Sequence, residues 1–172
     1  FFISQKFGKN YDLFKVVAID SGAGISEKIK ISISGLTPGP TDDIYGTFNL
    51  SIRSFDDTDT EPNVLESYDG LTLDPASDNY IARRIGDMNI FFNFDNDKES
   101  QKIVVDGSHT VRSRFIRVKM SDAIVKKQVP VNALPMGFRG LRHLVTSGSM
   151  LGFVNDVYYG KSDVMQDIVE PP

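Results

Sequence analysis

Hydrophobic and polar residues alternate from Phe48 to Phe55, with Phe48, Leu50, Ile52 and Ser54 on one side and Asn49, Ser51, Arg53 and Phe55 on the other. That period of two predicts a half-buried strand. Asp56, Asp57, Thr58 and Asp59 follow, whose side chains bond readily to nearby backbone, and Pro62 has no N–H to give a ladder. A turn is therefore predicted before the extended pattern resumes at Val64 to Tyr68. Asp74 followed by Pro75 is a helix-start signal, since the carboxylate accepts an orphan N–H and proline tolerates the first helical position. Tyr80, Ile81, Arg84 and Ile85 continue at helical spacing, and Gly86 can end the element, so a helix is predicted from Asp74 to Gly86.

The rest of the chain supplies further strands. Phe1 to Asn10 is a weakly specified lead-in whose apolar side chains should rest on another part of the fold. Leu13, Phe14, Val16, Val17 and Ile19 mark a strand from Tyr11 to Ile19. Ile29, Ile31 and Ile33 then alternate with Lys28, Lys30, Ser32 and Ser34, predicting one branched apolar face and one solvent-side face that carries the lysines. Gly35 to Gly46, with Pro38 and Pro40, is predicted as a surface loop. Met88 to Phe94, Ile103 to Val105 and Val111 to Met120 are further strands, the last with Arg112, Arg114, Arg117 and Lys119 on a cationic face. Val129 to Phe138 holds two prolines, which restricts it to an extended edge or loop. Beyond Gly140 glycines divide short apolar patches, giving a main domain over 1–140 and a looser segment over 141–172. About seven short strands joined by polar loops predict an α+β fold, mainly antiparallel β-sheet and sandwich-like, with one or two flanking helices.

Composition narrows the function without naming it. The chain has 172 residues, 40% hydrophobic and 24% charged, which is ordinary globular composition. A net charge of -4 argues against a domain that binds nucleic acid through clustered cations. With no cysteine there is neither a disulfide framework nor a thiolate metal site. No stretch is long and apolar enough to span a membrane. The first residue is Phe1 and the last two are Pro171 and Pro172, so the chain is read as a piece of a longer protein.

Candidate chemistry is sparse. Asp56, Asp57, Asp59 and Glu61 form one acidic cluster, and Asp95, Asp97 and Glu99 with Asp106 another. The second has the outline of a calcium loop but carries Ser100 for the sharp-turn glycine and Asp106 for the bidentate glutamate. Both clusters are read as solvated turn carboxylates. His109 and His143 each lack a partner at ligand spacing. Gly148 to Gly152 does not have the spacing of a nucleophile elbow, and the Gly22 to Gly24 turn leads into a strand rather than the helix that a phosphate cradle needs. No residue is assigned a catalytic, cofactor-binding or metal role. The cationic Arg112, Arg114, Arg117 and Lys119 face is read first as a solvated strand face and second as a candidate contact for an acidic partner surface.

Two stretches resemble contractile phage tail sheath proteins. FKVVAIDSGAGISEKIKISI, Phe14 to Ile33, is similar to that family's strand, small-residue turn and strand, although Gly24, Ile25 and Ser26 stand where a Trp-Gly-Asn turn is common. FNLSIRSFDD, VLESYDGLTLDP and SDNYIARRI resemble its run of strand, acidic turn, glutamate-bearing strand and Asp-Pro helix start, in the same order and spacing. PVNALPMGFRG resembles the segment before the family's C-terminal core, so the likeness covers about Phe14 to Gly140.

The resemblance implies a middle domain of a sheath subunit, with 141–172 leading toward a core that this sequence lacks. It further implies a homo-oligomer of stacked hexameric rings around a tail tube protein, docked on a baseplate, assembled in the host cytoplasm and resident in the virion. Such a part is no enzyme, takes no cofactor, touches nucleic acid not at all and inserts in no membrane; the isolated piece is expected to be a monomer. Asp74 and Pro75 would start the helix, and Tyr80, Ile81 and Ile85 would pack it. A contractile bacteriocin or a secretion sheath of the type VI kind fits the same motifs. Outside this class stand a carbohydrate- or receptor-binding β module, weakened by the lack of tryptophan, and a hydrolase using Asp95 or Glu66, for which no motif places a second carboxylate.

Overall fold

The alternation that begins at Phe48 builds the central strand of a three-stranded antiparallel sheet. The computed structural model describes residues 1–5, 9–19, 24, 28–94 and 101–140. Within it β1 is Phe2–Ile3, β2 Asp12–Ala18, β3 Ile29–Thr37, β4 Thr47–Ser54, β5 Val64–Thr72, β6 Asn89–Asn93, β7 Lys102–Asp106 and β8 Ile116–Met120. Helices α1 (Ile81–Ile85) and α2 (Asp122–Val125) are short. The strands form three antiparallel sheets, ordered β1-β2-β8, β3-β4-β5 and β6-β7. The fold is mainly antiparallel β with two short helices, as the pattern predicts.

The two three-stranded sheets share one core. Phe48, Leu50 and Ile52 of β4 are fully buried. Phe14 of β2 stacks on Phe48 across the sheets, centroids 6.0 Å apart and planes 10° from parallel. Phe2 in turn stacks on Phe14 at 5.2 Å and meets Phe138 edge-on at 5.9 Å. The lead-in thus rests its apolar side chains on the core, as expected. The two-proline segment is also as expected. It forms no strand, and it touches the sheets at two isolated bridges, Ser4 with Pro135 and Ile33 with Phe138.

Three expectations need correction. Lys30 and Ser32 do not face solvent, since they are only 6% and 9% exposed. The 133–140 segment crosses that face of β3, where the Ser32 hydroxyl donates to the Phe138 carbonyl at 3.1 Å. Gly140, with φ of 91°, runs so close that a Cβ there would lie 3.0 Å from Lys30 Cδ. A period-two pattern reports one covered face, but here a later loop covers the second.

The helix does not start at Asp74. Asp74 Oδ1 accepts the Ala76 N–H at 2.9 Å and its carbonyl accepts Ser77 N–H, which closes a turn. The Thr72 N–H then bonds to the Asn79 carbonyl, and Thr72 bridges Tyr80 in parallel fashion. This pairing holds Tyr80 extended, at φ −56° and ψ 128°, so helical backbone begins only at Ile81. No side chain caps α1, at a cost of about 1 kcal/mol. Ile81 and Ile85 are both fully buried between β5 and β8, and each such burial contributes about 1.5–3 kcal/mol. Packing, not capping, holds this helix. Gly86 ends it as predicted: its φ is 108°, and a Cβ would sit 2.2 Å from Val111 Cα.

The cationic strand is shorter than predicted. Pairing with β2 runs only from Ile116 to Met120, because Arg112 N–H is turned back to the Ile85 carbonyl at 2.8 Å. Arg112 and Arg114 therefore precede the strand, and only Arg117 and Lys119 lie on it. The 141–172 segment, the Asp95 to Glu99 cluster, His143 and the Gly148 to Gly152 string all lie outside the described residues.

Candidate functional site

The densest polar cluster sits where β3, β4 and the acidic turn meet. Lys30 and Arg53 face one another across the β3–β4 ladder, and both are nearly buried. Like charges directly opposed destabilise a sheet unless an anion lies between them. Asp57 is that anion, with its side chain 1% exposed. Lys30 Nζ lies 2.6 Å from Asp57 Oδ1 and donates to the Asp57 carbonyl at 2.7 Å. Arg53 grips the same carboxylate side-on, Nε to Oδ2 at 2.7 Å and Nη2 to Oδ1 at 2.8 Å. Its remaining donors reach Asp59 at 2.9 Å, the Thr58 carbonyl at 2.9 Å and the Arg139 carbonyl at 3.3 Å. The Asn63 N–H completes the Asp57 shell at 2.8 Å.

This corrects the reading of the acidic turn as solvated at Asp57 alone, since Asp56, Asp59 and Glu61 are exposed as expected. Burial pushes the Asp57 carboxyl up, but the hydrogen bonds from Arg53, Lys30 and Asn63 N–H outweigh it and hold the group below the usual carboxylate range. Asp57 and Asp59 already face Arg53, and Arg139 approaches Asp59 at 3.6 Å. The cluster is a clamp that binds the turn to the sheet and the 139–140 backbone to both. Sequence reasoning placed Arg53 on the polar face and passed over it. The available signal was one cation on each of two neighbouring strands, followed at once by Asp-Asp-Thr-Asp.

A second polar link joins β5 to the approach to β8. Glu66 Oε2 accepts from the Ser113 hydroxyl at 2.6 Å and the Tyr68 hydroxyl at 3.0 Å, and Oε1 accepts the Arg114 N–H at 3.0 Å. Ser113 Oγ accepts in turn from the N–H groups of Phe115 and Ile116, both at 3.1 Å. A serine beside a carboxylate invites a nucleophile reading, yet both lone pairs of this hydroxyl are taken by backbone donors. Burial raises the Tyr68 phenol above its ordinary value. Glu66, the carboxylate of the hydrolase reading, is therefore a strut.

The third link lies at the root of the β6–β7 ribbon. Asp87 Oδ1 accepts the N–H groups of Ser108 at 2.9 Å and His109 at 2.7 Å. His109 Nδ1 stands 3.5 Å from Asp87 Oδ2 and finds no hydrogen-bond partner among the described residues. The imidazole packs edge-on against Tyr80, centroids 6.0 Å apart. Burial, then the nearby Asp87 charge, pushes the Tyr80 phenol up to about 12.

The four cations predicted to share one face do not. Arg114 is 82% exposed and 3.8 Å from Glu66, whereas Lys119 pairs with Asp106 of β7 at 3.2 Å. Among the described residues no group of three acidic or histidine side chains is arranged to hold a metal ion.

Among the described residues the surface carries a polar cleft and an apolar groove, and of the three links only Tyr80, at the edge of the third, reaches either. The polar cleft of about 480 Å³ includes Asp43, Tyr45, Thr72, Asp74, Ser77 and Asn79. The apolar groove of about 300 Å³ lies beside α2, between Leu73, Tyr80, Ile124 and Val129. Compared with protein-family models, curated proteins and solved structures, the chain finds no match.

Proposed function

We propose that this chain is part of a contractile tail sheath subunit, a middle domain in a protein that polymerises as stacked hexameric rings around an inner tube. Contraction of the polymer would drive the tube through a host envelope, with the baseplate as trigger and the virion tail as location. The observation that carries this reading is where the motif residues direct their bonds. Arg53, Asp57, Asp59 and Glu66 all lie in the stretch that resembles the sheath family, and each bonds to another part of the same fold. A catalytic carboxylate faces a cleft and keeps a free lone pair for substrate. These carboxylates instead lock a turn to a sheet and a strand to a loop, which suits a part that must keep its shape while its neighbours move. The work of such a device comes from exchanging subunit contacts, so no cofactor or catalytic group is required.

Electron microscopy of the full-length protein, made alone or with its tube protein, is the test. Helical tubes or stacked rings are the expected result. Particles that stay dispersed under all conditions that assemble such tubes would refute the proposal. The contractile bacteriocin and secretion sheath versions share the same prediction.

One feature favours a second reading, a binding module for a carbohydrate or receptor on the virion. The polar cleft presents Tyr45 beside Asp43, Asp74 and Asn79, a hydroxyl, carboxylate and amide set able to hydrogen-bond a sugar. A glycan array answers it: binding that Asn79→Ala abolishes supports the module, and a blank array removes it.

A further inference from the structure

We infer that the apolar groove beside α2 is a binding site for a small amphipathic acid, a carboxylate on a short alkyl or arylalkyl body. Such a site is independent of the sheath reading and distinct from the polar cleft.

The chemistry of the groove is one-sided. Leu73, Ile124 and Val129 give it an apolar wall, Lys127 is the one charged side chain in its lining, and no carboxylate lines it. Its volume of about 300 Å³ reaches the range of small-molecule sites, which pair apolar walls with a few placed polar groups. The Lys127 ammonium has no ion pair or hydrogen bond among the described residues. A cation beside an apolar wall, with no anion to answer it, favours an acid over an amine.

Tyr80 adds a donor. It is 7% exposed, it lines the groove, and its hydroxyl has no hydrogen-bond partner among the described residues. A buried tyrosine hydroxyl normally finds a partner. Burial, then Asp87 and Tyr45, push its pKa up to about 12, so near pH 7 the phenol keeps its proton for an acceptor in the groove. One carboxylate can use both groups, accepting from the phenol and pairing with the ammonium, while its apolar body lies along Leu73, Ile124 and Val129.

The backbone at Lys127 allows charge and turn to be separated. Lys127 has φ of 53° and directly follows Lys126, the C-cap of α2. Its N–H bonds to the Ile124 carbonyl at 3.0 Å, and the Gln128 N–H to the Ala123 carbonyl at 2.8 Å. Left-handed backbone after a helix end favours glycine, and a lysine there carries strain that glycine does not. Lys127→Gly therefore suits the turn and removes only the ammonium and its stem.

Saturation-transfer NMR on the full-length protein tests the site, with octanoate as the probe and octanol and octylamine as its neutral and cationic counterparts. Octanoate is expected to bind with a Kd of roughly a millimolar or below. Octanol should bind about fivefold more weakly or worse, and octylamine about tenfold more weakly or worse, since hydrogen bonds to charged groups are the strong ones. Lys127→Gly, which should melt at or above the wild-type temperature, and Lys127→Gln, which keeps the length of the side chain, should each weaken octanoate about fivefold or more. Tyr80→Phe should weaken it about threefold or more, and Lys126→Gln, outside the lining, should change nothing. No transfer to octanoate overturns the proposal, and so does equal binding of all three probes, which is adsorption to apolar surface. Octanoate binding that survives both Lys127 substitutions also overturns it. Should Lys127→Gly melt below wild type, Lys127→Gln decides. A short peptide with an apolar last residue and a free C-terminal carboxylate that binds about tenfold more tightly than octanoate would make a chain terminus the occupant and overturn the small acid. Tube assembly, the test of the sheath reading, is unaffected by any of these results.

Discussion

The β3-β4-β5 sheet and the β6-β7 ribbon are built from the same kind of alternating sequence, yet they treat their second faces in opposite ways. In the sheet, the face away from Phe48, Leu50 and Ile52 carries Lys30 and Arg53, and both are drawn under the turn and the 139–140 backbone by Asp57. In the ribbon, the outward residues Ile90, Phe92, Ile103 and Val105 have no such cover among the described residues. Charge has been internalised where the fold must be rigid, and apolar surface left outside where the molecule ends. Alternation says that a strand has two faces. What covers each face is decided by segments far away in sequence.

The sharpest way to break the comparison is at the clamp. Asp57→Asn leaves buried Lys30 without its anion and Arg53 with the Asp59 carboxylate alone, and breaking a buried pair in this way costs about 3–5 kcal/mol. A melting temperature lower by about 10 °C follows for a chain of this size. The pH dependence gives an independent check. The folded Asp57 pKa lies below its unfolded value, so its stabilisation is fully present above the ordinary carboxylate value and is lost as pH falls through the folded one. The gap between wild type and variant should hold constant above about pH 5 and narrow below about pH 4. A gap that persists unchanged in acid would mean that Asp57 is not the ionised centre of the cluster.

Next in size is the strut between β5 and β8. Ser113→Ala removes the donor to Glu66 and leaves the N–H groups of Phe115 and Ile116 without their acceptor. A loss of about 3 kcal/mol in urea unfolding is expected, since each unsatisfied buried group costs about 1–3 kcal/mol. A loss below about 1 kcal/mol would show that water replaces the hydroxyl and that the region is looser than the clamp.

Tyr80 tests the junction between sheet and ribbon in alkali. Its folded pKa is raised to about 12, so the neutral phenol stabilises the fold fully below its ordinary value near 10. That contribution is lost as pH rises through the folded value. At pH 11 the difference corresponds to about 1.4 kcal/mol, one pH unit above the ordinary phenol. Tyr80→Phe should remove this part of the alkaline limb while leaving stability near pH 7 little changed; parallel curves for the two proteins from pH 9 to 12 would contradict it.

Legibility in the sequence follows the same divide. Period-two runs located the main strands to within a few residues, because each has a face that this short-range pattern reports, with Phe48, Leu50 and Ile52 the clearest. Gly86 was legible because only glycine tolerates its backbone and its contact with Val111. The helix start was not. Asp74 and Pro75 carry a genuine local signal, but pairing of Thr72 with Asn79 and Tyr80 overrides it. The Lys30–Arg53–Asp57 clamp was missed for a related reason. Lysine and arginine on a polar face look solvated until strand register and a loop more than eighty residues downstream enclose them. The cationic run at 112–119 divided because Arg112 N–H is held by the end of α1, a contact that no periodicity encodes. The acidic stretch at Asp95 to Glu99 falls outside the described residues.

The smallest effect is expected at the ribbon, and it is the other half of the comparison. Ile103→Lys places a charge on a side chain already 67% exposed, so unfolding free energy should change by no more than about ±0.5 kcal/mol, the range of substitutions away from buried features. The same substitution buried in the β3-β4-β5 sheet, at Ile52, would strand a charge in a fully buried position and should prevent folding. If Ile103→Lys instead lowers stability by 2 kcal/mol or more, the ribbon face is covered within its own chain and the contrast between the two regions disappears.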